Sequence, residues 1–240
     1  MKPWELLGEA RTPDGTDLRL TRHSSEYVIL ANGQSLMSSR MHGSEEALAT
    51  LGCRRARLLD APFVLIGGLG MGFTLRAVLD LLPARARVVV SELMPAVVEW
   101  NRGPLGPLAD HPLRDARVQL ELGDVAVTLR ANPASFDAVL LDVDNGPTAL
   151  TATTNARLYD NQGVATARAA LRPDGVFAVW SARENRKFEQ RLSYCGFAVE
   201  VARVRGRLKG GGPRHVIVLG HARPASKTDA QAADPGRTPR

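Results

Sequence analysis

Apolar positions follow two rhythms along this chain. Through the first fifty-odd residues they are short and strand-like. "DLRLTRH" alternates apolar and polar positions, and "EYVILA" is rich in β-branched residues. Asn32-Gly33 is a strong hairpin turn signal. "GSEEALATLG" then reads as a short helix, with Ser44 as N-cap, acidic residues in the first turn and Gly52 as its stop. From Pro62 the rhythm changes to apolar runs alternating with helical stretches. "FVLIG", "RVVVSEL", "VQLELGD", "FDAVLLDV" and "GVFAVWSA" read as buried strands. "GFTLRAVLDLL", "MPAVVEWNRG", "VAVTLRAN" and "NQGVATARAALR" read as helices between them. That alternation predicts βαβ units and a mostly parallel sheet. Pro173-Asp174-Gly175 predicts a turn before a strand. Beyond it come a helix at "KFEQRLSYCG" and a closing pair of strands, "FAVEVARV" and "RHVIVLGHA".

The predicted organisation is a small β-hairpin and helix unit over 1–55, an α/β unit over 56–222 and a basic tail over 223–240. The tail is small, polar and Pro-containing, and is expected to be disordered and dispensable for folding. Trp100 and Trp180 fall on apolar faces and are expected in the core.

Composition changes this picture little. Net charge is +6, but much of it lies in "ARVRGRLKGGGPRH" and the tail, and no stretch interleaves basic with aromatic residues as a stacking platform requires. A solvated basic face accounts for it better than nucleic-acid binding. Cys53 and Cys195 have neither metal nor redox spacing and read as buried thiols. His42 and His215 stand without paired ligand spacing, so no metal site is expected. With no leader-like start and no apolar stretch long enough to span a bilayer, a cytoplasmic protein without membrane contact is expected.

Candidate chemistry begins at "GGLGMG", Gly67 to Gly72, between a strand and a helix. Glycines there allow positive φ and let backbone N–H groups approach a ligand, beside the positive end of a helix. The next strand ends in Glu92, twenty residues after Gly72, placed to accept from both hydroxyls of a ribose. Its removal is expected to abolish binding and leave the fold intact. The third strand is followed by Asp124-Val125, where a carboxylate can accept from an adenine amine. Turn, ribose acid and adenine acid in that order point to an adenosine derivative. The third glycine comes one residue early for the dinucleotide fingerprint and no P-loop lysine follows, so an S-adenosyl ligand fits better than NAD or ATP.

Roughly over residues 34–220 the chain resembles the polyamine aminopropyltransferases, the spermidine and spermine synthases. The likeness is carried by "VLIGGLGMGFTLRAVL", "SELMPAVVEWNR", "LELGDV", "FDAVLLDVDNGP", Leu158-Tyr159 and "ALRPDGVFAV". It implies a Rossmann-like S-adenosylmethionine methyltransferase fold, three-layered with a mostly parallel sheet, preceded by a short N-terminal β unit. It also implies a ligand that is S-adenosylmethionine or its decarboxylated form, used as co-substrate. Gly67, Gly68, Gly70 and Gly72 would hold the methionine-derived part, Glu92 the ribose, and Asp124 with Val125 the adenine. Asp142 would help deprotonate an attacking small-molecule amine, with Asp144 and Tyr159 in the acceptor pocket. A homodimer is left open by this resemblance.

The sequence departs from that family on the acceptor side. Gly70 stands where an aspartate is expected, "DVDNGP" replaces the usual "DSSDP", and "MHGSEEAL" carries no Tyr-Gln pair. Three functions therefore remain open: aminopropyl transfer with a degenerate polyamine pocket, methyl transfer from intact S-adenosylmethionine, and binding without catalysis.

Overall fold

A computed structural model describes residues 3–143, 155–207 and 212–222. Strands β1 (Glu5–Arg11), β2 (Asp17–His23), β3 (Glu26–Ala31) and β4 (Gln34–Ser38) pair in chain order as an antiparallel sheet. The turn between β3 and β4 has positive φ at both Asn32 (48°) and Gly33 (79°), as a tight hairpin requires.

Helix α1 (Gly43–Gly52) follows, and here one expectation is corrected. His42, not Ser44, occupies the N-cap position, and Ser44 is buried in the first turn with its hydroxyl donating to Glu45 at 2.6 Å. The reason is tertiary. The Gly43 N–H donates to the Gly206 carbonyl at 2.9 Å, which satisfies one helix-start donor without a side-chain cap.

The remainder alternates as the sequence pattern requires. In order come β5 (Phe63–Gly67), α2 (Phe73–Leu81), β6 (Arg87–Glu92), α3 (Pro95–Arg102), β7 (Val118–Leu122), α4 (Val125–Ala131) and β8 (Phe136–Leu141). Then follow α5 (Asn161–Ala170), β9 (Leu171–Ser181), α6 (Arg186–Tyr194), β10 (Phe197–Arg205) and β11 (Arg214–Ala222). The seven strands are ordered β10-β11-β9-β8-β5-β6-β7. From β9 to β7 all pairings are parallel, and β11 pairs antiparallel with both β9 and β10. Side chains of β5 alternate between the faces: Val64 and Ile66 join one hydrophobic cluster with α1, α2 and α3, while Leu65 joins another with α4, α5 and α6. Helices on both sides of a mostly parallel sheet make the Rossmann-like, three-layered arrangement.

The turn expected at Pro173-Asp174-Gly175 is instead an irregularity inside β9. Leu171 pairs with Phe136 but Val176 pairs with Ala138, so extra residues bulge out, with Asp174 at φ 62°. Trp100 is buried, whereas Trp180 is only partly so, because it lies against His215 towards one end of the sheet. Cys53 is fully buried, which pushes its thiol up to about 12, but Cys195 is half-exposed at the end of α6. Among the described residues no helix is long and apolar enough to cross a membrane. The tail over 223–240 lies outside the described residues.

Candidate active site

Strand β5 sits where the chain order reverses, with β6 on one side and β8 on the other. Ligands of open α/β sheets bind in the crevice beyond the carboxyl ends of the strands at such a switch point. Backbone hydrogen bonds lock these ends together. Gly68 N–H donates to Ser91 O (2.9 Å), Gly123 N–H to Glu92 O (2.9 Å) and Asp142 N–H to Gly67 O (2.8 Å). The loops that carry the candidate residues thus start from one rigid edge.

A cavity of about 280 Å³ lies over that edge, with residues of the N-terminal sheet as its far wall. Gly68, Gly70, Glu92, Asp124, Val125 and Asp142 all line it. From the other side come the β1–β2 turn with Asp14, and Ile29 and Met37 of β3 and β4. A smaller chamber adjoins it. Met37, Gly70 and Asp142 line both spaces, and Ser38, Glu45 and Thr74 are the polar residues that line the smaller one alone.

The glycines divide by role. Gly68 (φ 91°) and Gly70 (φ 52°) face the cavity. A Cβ at Gly68 would overlap the Asp142 carbonyl, so that position admits no side chain. A Cβ at Gly70 would meet the Met37 sulfur at 3.0 Å. Gly67 packs instead under Leu141 and Val125, and Gly72, with φ 84° at the α2 N-cap, packs against Asn101 and Pro112. These two shape the turn from behind.

Glu92 is 8% exposed and does more than the sequence indicated. One carboxylate oxygen accepts from Leu69 N–H and the other from Met94 N–H, each at 2.8 Å. The side chain therefore ties the glycine turn to the start of α3. A carboxylate has about four lone-pair sites, so two backbone donors do not exhaust its capacity for ribose hydroxyls. Asp124 caps α4 through Ala126 N–H (2.8 Å) and is otherwise exposed to the cavity.

Asp142 follows β8, and its carboxylate accepts from the Thr74 hydroxyl at 2.6 Å. Burial raises its pKa above the ordinary carboxylate value, and the Thr74 bond only partly opposes this. Across the small chamber, Glu45 of α1 is pushed up to about 7, first by burial and then by the charge of Asp142. Sequence reading missed Glu45, which looked like an acidic first-turn residue serving its helix. Tyr159 is buried against Phe188 in an edge-on contact, and its hydroxyl donates to Val143 O at 3.4 Å. Asp144 lies outside the described residues. Five acids, Asp14, Glu45, Glu92, Asp124 and Asp142, line the two spaces, and among the described residues no Lys, Arg or His does.

Comparison with known proteins fits this geometry. Residues 45–195 match the Spermine/spermidine synthase domain, a stretch that begins at Glu45 and includes the glycine turn, Glu92, Asp124 and Asp142. The chain belongs to the spermine/spermidine synthase family. A member from Pseudomonas aeruginosa, Polyamine aminopropyltransferase 2, is 36% identical over 120 residues, which are 48% of this chain and 32% of that protein. The matched segment thus spans about a third of that relative's length. Solved structures share the fold at 17% identity. A spermidine synthase from Thermotoga maritima has a TM-score of 0.71, and one in complex with the transition-state analogue AdoDATO has 0.69; each match covers 90% of this chain and 72% of the other. A probable spermidine synthase from Corynebacterium glutamicum gives 0.59 over 97% of this chain and 86% of its own. The family likeness and the Rossmann-like fold expected from the sequence are both borne out.

Proposed function

We propose that this protein is a transferase that moves an aminopropyl group from decarboxylated S-adenosylmethionine to a small amine. The observation that carries the reading is that, among the described residues, every charged side chain lining the paired cavities is an acid. A sulfonium with a primary ammonium on its three-carbon arm is a dication, and an amine acceptor is also cationic before it reacts. Both are drawn to such a lining. Intact S-adenosylmethionine adds a carboxylate to the same arm, which would face Asp142 and Glu45 with no side-chain cation among the described residues to offset it. The AdoDATO complex of a spermidine synthase supports the same donor class.

In this reading Glu92 and Asp124 hold the adenosine, and the Gly68–Gly70 turn passes close beside the sulfonium. Asp142 takes the proton of the acceptor amine, whose nitrogen attacks the arm carbon next to sulfur. The carbon–sulfur bond breaks and methylthioadenosine leaves. Thr74 fixes the carboxylate for that transfer, and its raised pKa brings it nearer the working range of a general base. Asp144, in the segment after Asp142, is assigned to the distal ammonium. Tyr159 holds the Val143 carbonyl, next to Asp142, from behind.

Methyl transfer is the second reading, favoured by Gly70, which removes one carboxylate from the turn that would face the methionine end. Calorimetric titration separates the two. Decarboxylated S-adenosylmethionine and methylthioadenosine are expected to bind more tightly than intact S-adenosylmethionine, and the reverse order would refute aminopropyl transfer.

A further inference from the structure

Two carboxylates line the small chamber, and among the described residues neither has a cation to answer it. Glu45 and Asp142 form no ion pair among the described residues; their neighbours there are the hydroxyls of Ser44 and Thr74. Burying negative charge without a counter-ion is costly, and such groups gather where a ligand supplies what the fold withholds. The chamber opens on the adenosyl cavity through Met37, Gly70 and Asp142. At Gly70 the turn itself offers no side chain, and the Met37 thioether occupies the space above it. What acidity the chamber has therefore comes from α1 and from the end of β8.

We propose that Glu45 is the second carboxylate of the acceptor site, holding an ammonium group of the amine beside Asp142. The proposal rests on the aminopropyl reading and extends it to a residue that the sequence had assigned only to its helix. Glu45 binds and orients; Asp142 remains the group that takes the proton. Other charges near Glu45 agree with this division. Glu46, one residue on, adds to the negative field and is itself held by His42 at 2.8 Å. Burial holds both carboxyls above the ordinary carboxylate range, Glu45 at about 7 with the charge of Asp142 adding to the effect. Arrival of an ammonium makes the doubly ionised pair favourable, so binding releases a proton to solvent.

The test loads the full-length protein with methylthioadenosine and titrates it with 1,4-diaminobutane in two buffers of different ionisation enthalpy. Wild type, Glu45→Gln and Glu45→Asp are compared at pH 7. The expected result is diamine binding with proton release in wild type, weakened about ten- to a hundredfold in Glu45→Gln. Proton release falls in that variant, leaving only what Asp142 contributes, while methylthioadenosine affinity stays within about twofold. Glu45→Asp keeps the charge and recovers most of the affinity. Equal diamine affinity in wild type and Glu45→Gln overturns the proposal. So does a folded Glu45→Asp as weak as Glu45→Gln, or a wild type that takes methylthioadenosine but no diamine. A wild type that fails to bind methylthioadenosine overturns the donor reading itself, and this inference with it.

Discussion

Replacing Glu92 by alanine removes more than a ribose contact. Its two oxygens hold the N–H groups of Leu69 and Met94, each at 2.8 Å, and the Leu69 bond is buried. Hydrogen bonds to a charged group contribute about 1.5–3 kcal/mol each, and a buried N–H left without a partner costs about 1–3 kcal/mol. Met94 is nearer the cavity, where water can replace the lost oxygen. A net loss of about 3 kcal/mol is therefore expected, a large share of the ~5–15 kcal/mol that holds a domain folded. For a chain of this size that corresponds to a fall in Tm of about 6–12 °C. Glu92→Gln rescues only part, because its amide nitrogen must face one of the two N–H donors. Thermal melts and methylthioadenosine titrations on the same preparations measure both effects. The simple expectation from sequence, lost binding with the fold intact, is thereby revised: the two losses should appear together. An alanine variant that melts within about 2 °C of wild type would refute the clamp.

Asp142→Asn keeps the Thr74 bond, so methylthioadenosine affinity should hold while turnover drops by about 10²–10⁴-fold, with partial recovery at high pH where the amine is already neutral; normal turnover excludes Asp142 as base. In wild type, turnover should rise with pH through the raised pKa of Asp142, since only the ionised form accepts a proton. Gly68→Ala forces a Cβ onto the Asp142 carbonyl at φ 91° and should cost about 1–3 kcal/mol together with activity; Gly70→Ala, which meets only the flexible Met37 side chain, should cost less, and equal melts would contradict this. Glu45 is neutral in the folded protein and ionised in the unfolded chain between about 4.5 and about 7, so its contribution is present at low pH and lost as pH rises through that window. Glu45→Gln, always neutral, should then be more stable than wild type at pH 8, by on the order of 2 kcal/mol, and not at pH 4.

The central strands were readable because each is a short β-branched run buried on both faces, as with Val64, Leu65 and Ile66. Strands β1 and β4 gave no such signal. Most residues of "ELLGEAR" are exposed or half-exposed, so their polarity does not alternate cleanly. The same limit explains the site. Glu92 and Asp124 stand at strand ends, where local sequence places them, and the structure brings both into one cavity. Glu45 needed the tertiary fold, because only the packing of α1 across the sheet brings it to Asp142. Likewise nothing near Ser44 in sequence reveals that Gly206 will satisfy the start of its helix. Gly72 fitted the turn motif, yet its neighbours Asn101 and Pro112 are set by later parts of the chain.

Product identity tests the central claim most directly. Wild-type protein is incubated with a panel of small diamines and either decarboxylated or intact S-adenosylmethionine, and the nucleoside product is resolved chromatographically. Methylthioadenosine formed from the decarboxylated donor, in step with an aminopropylated amine, is the expected result. S-adenosylhomocysteine from the intact donor, or neither product from a protein that binds the decarboxylated donor tightly, would contradict it.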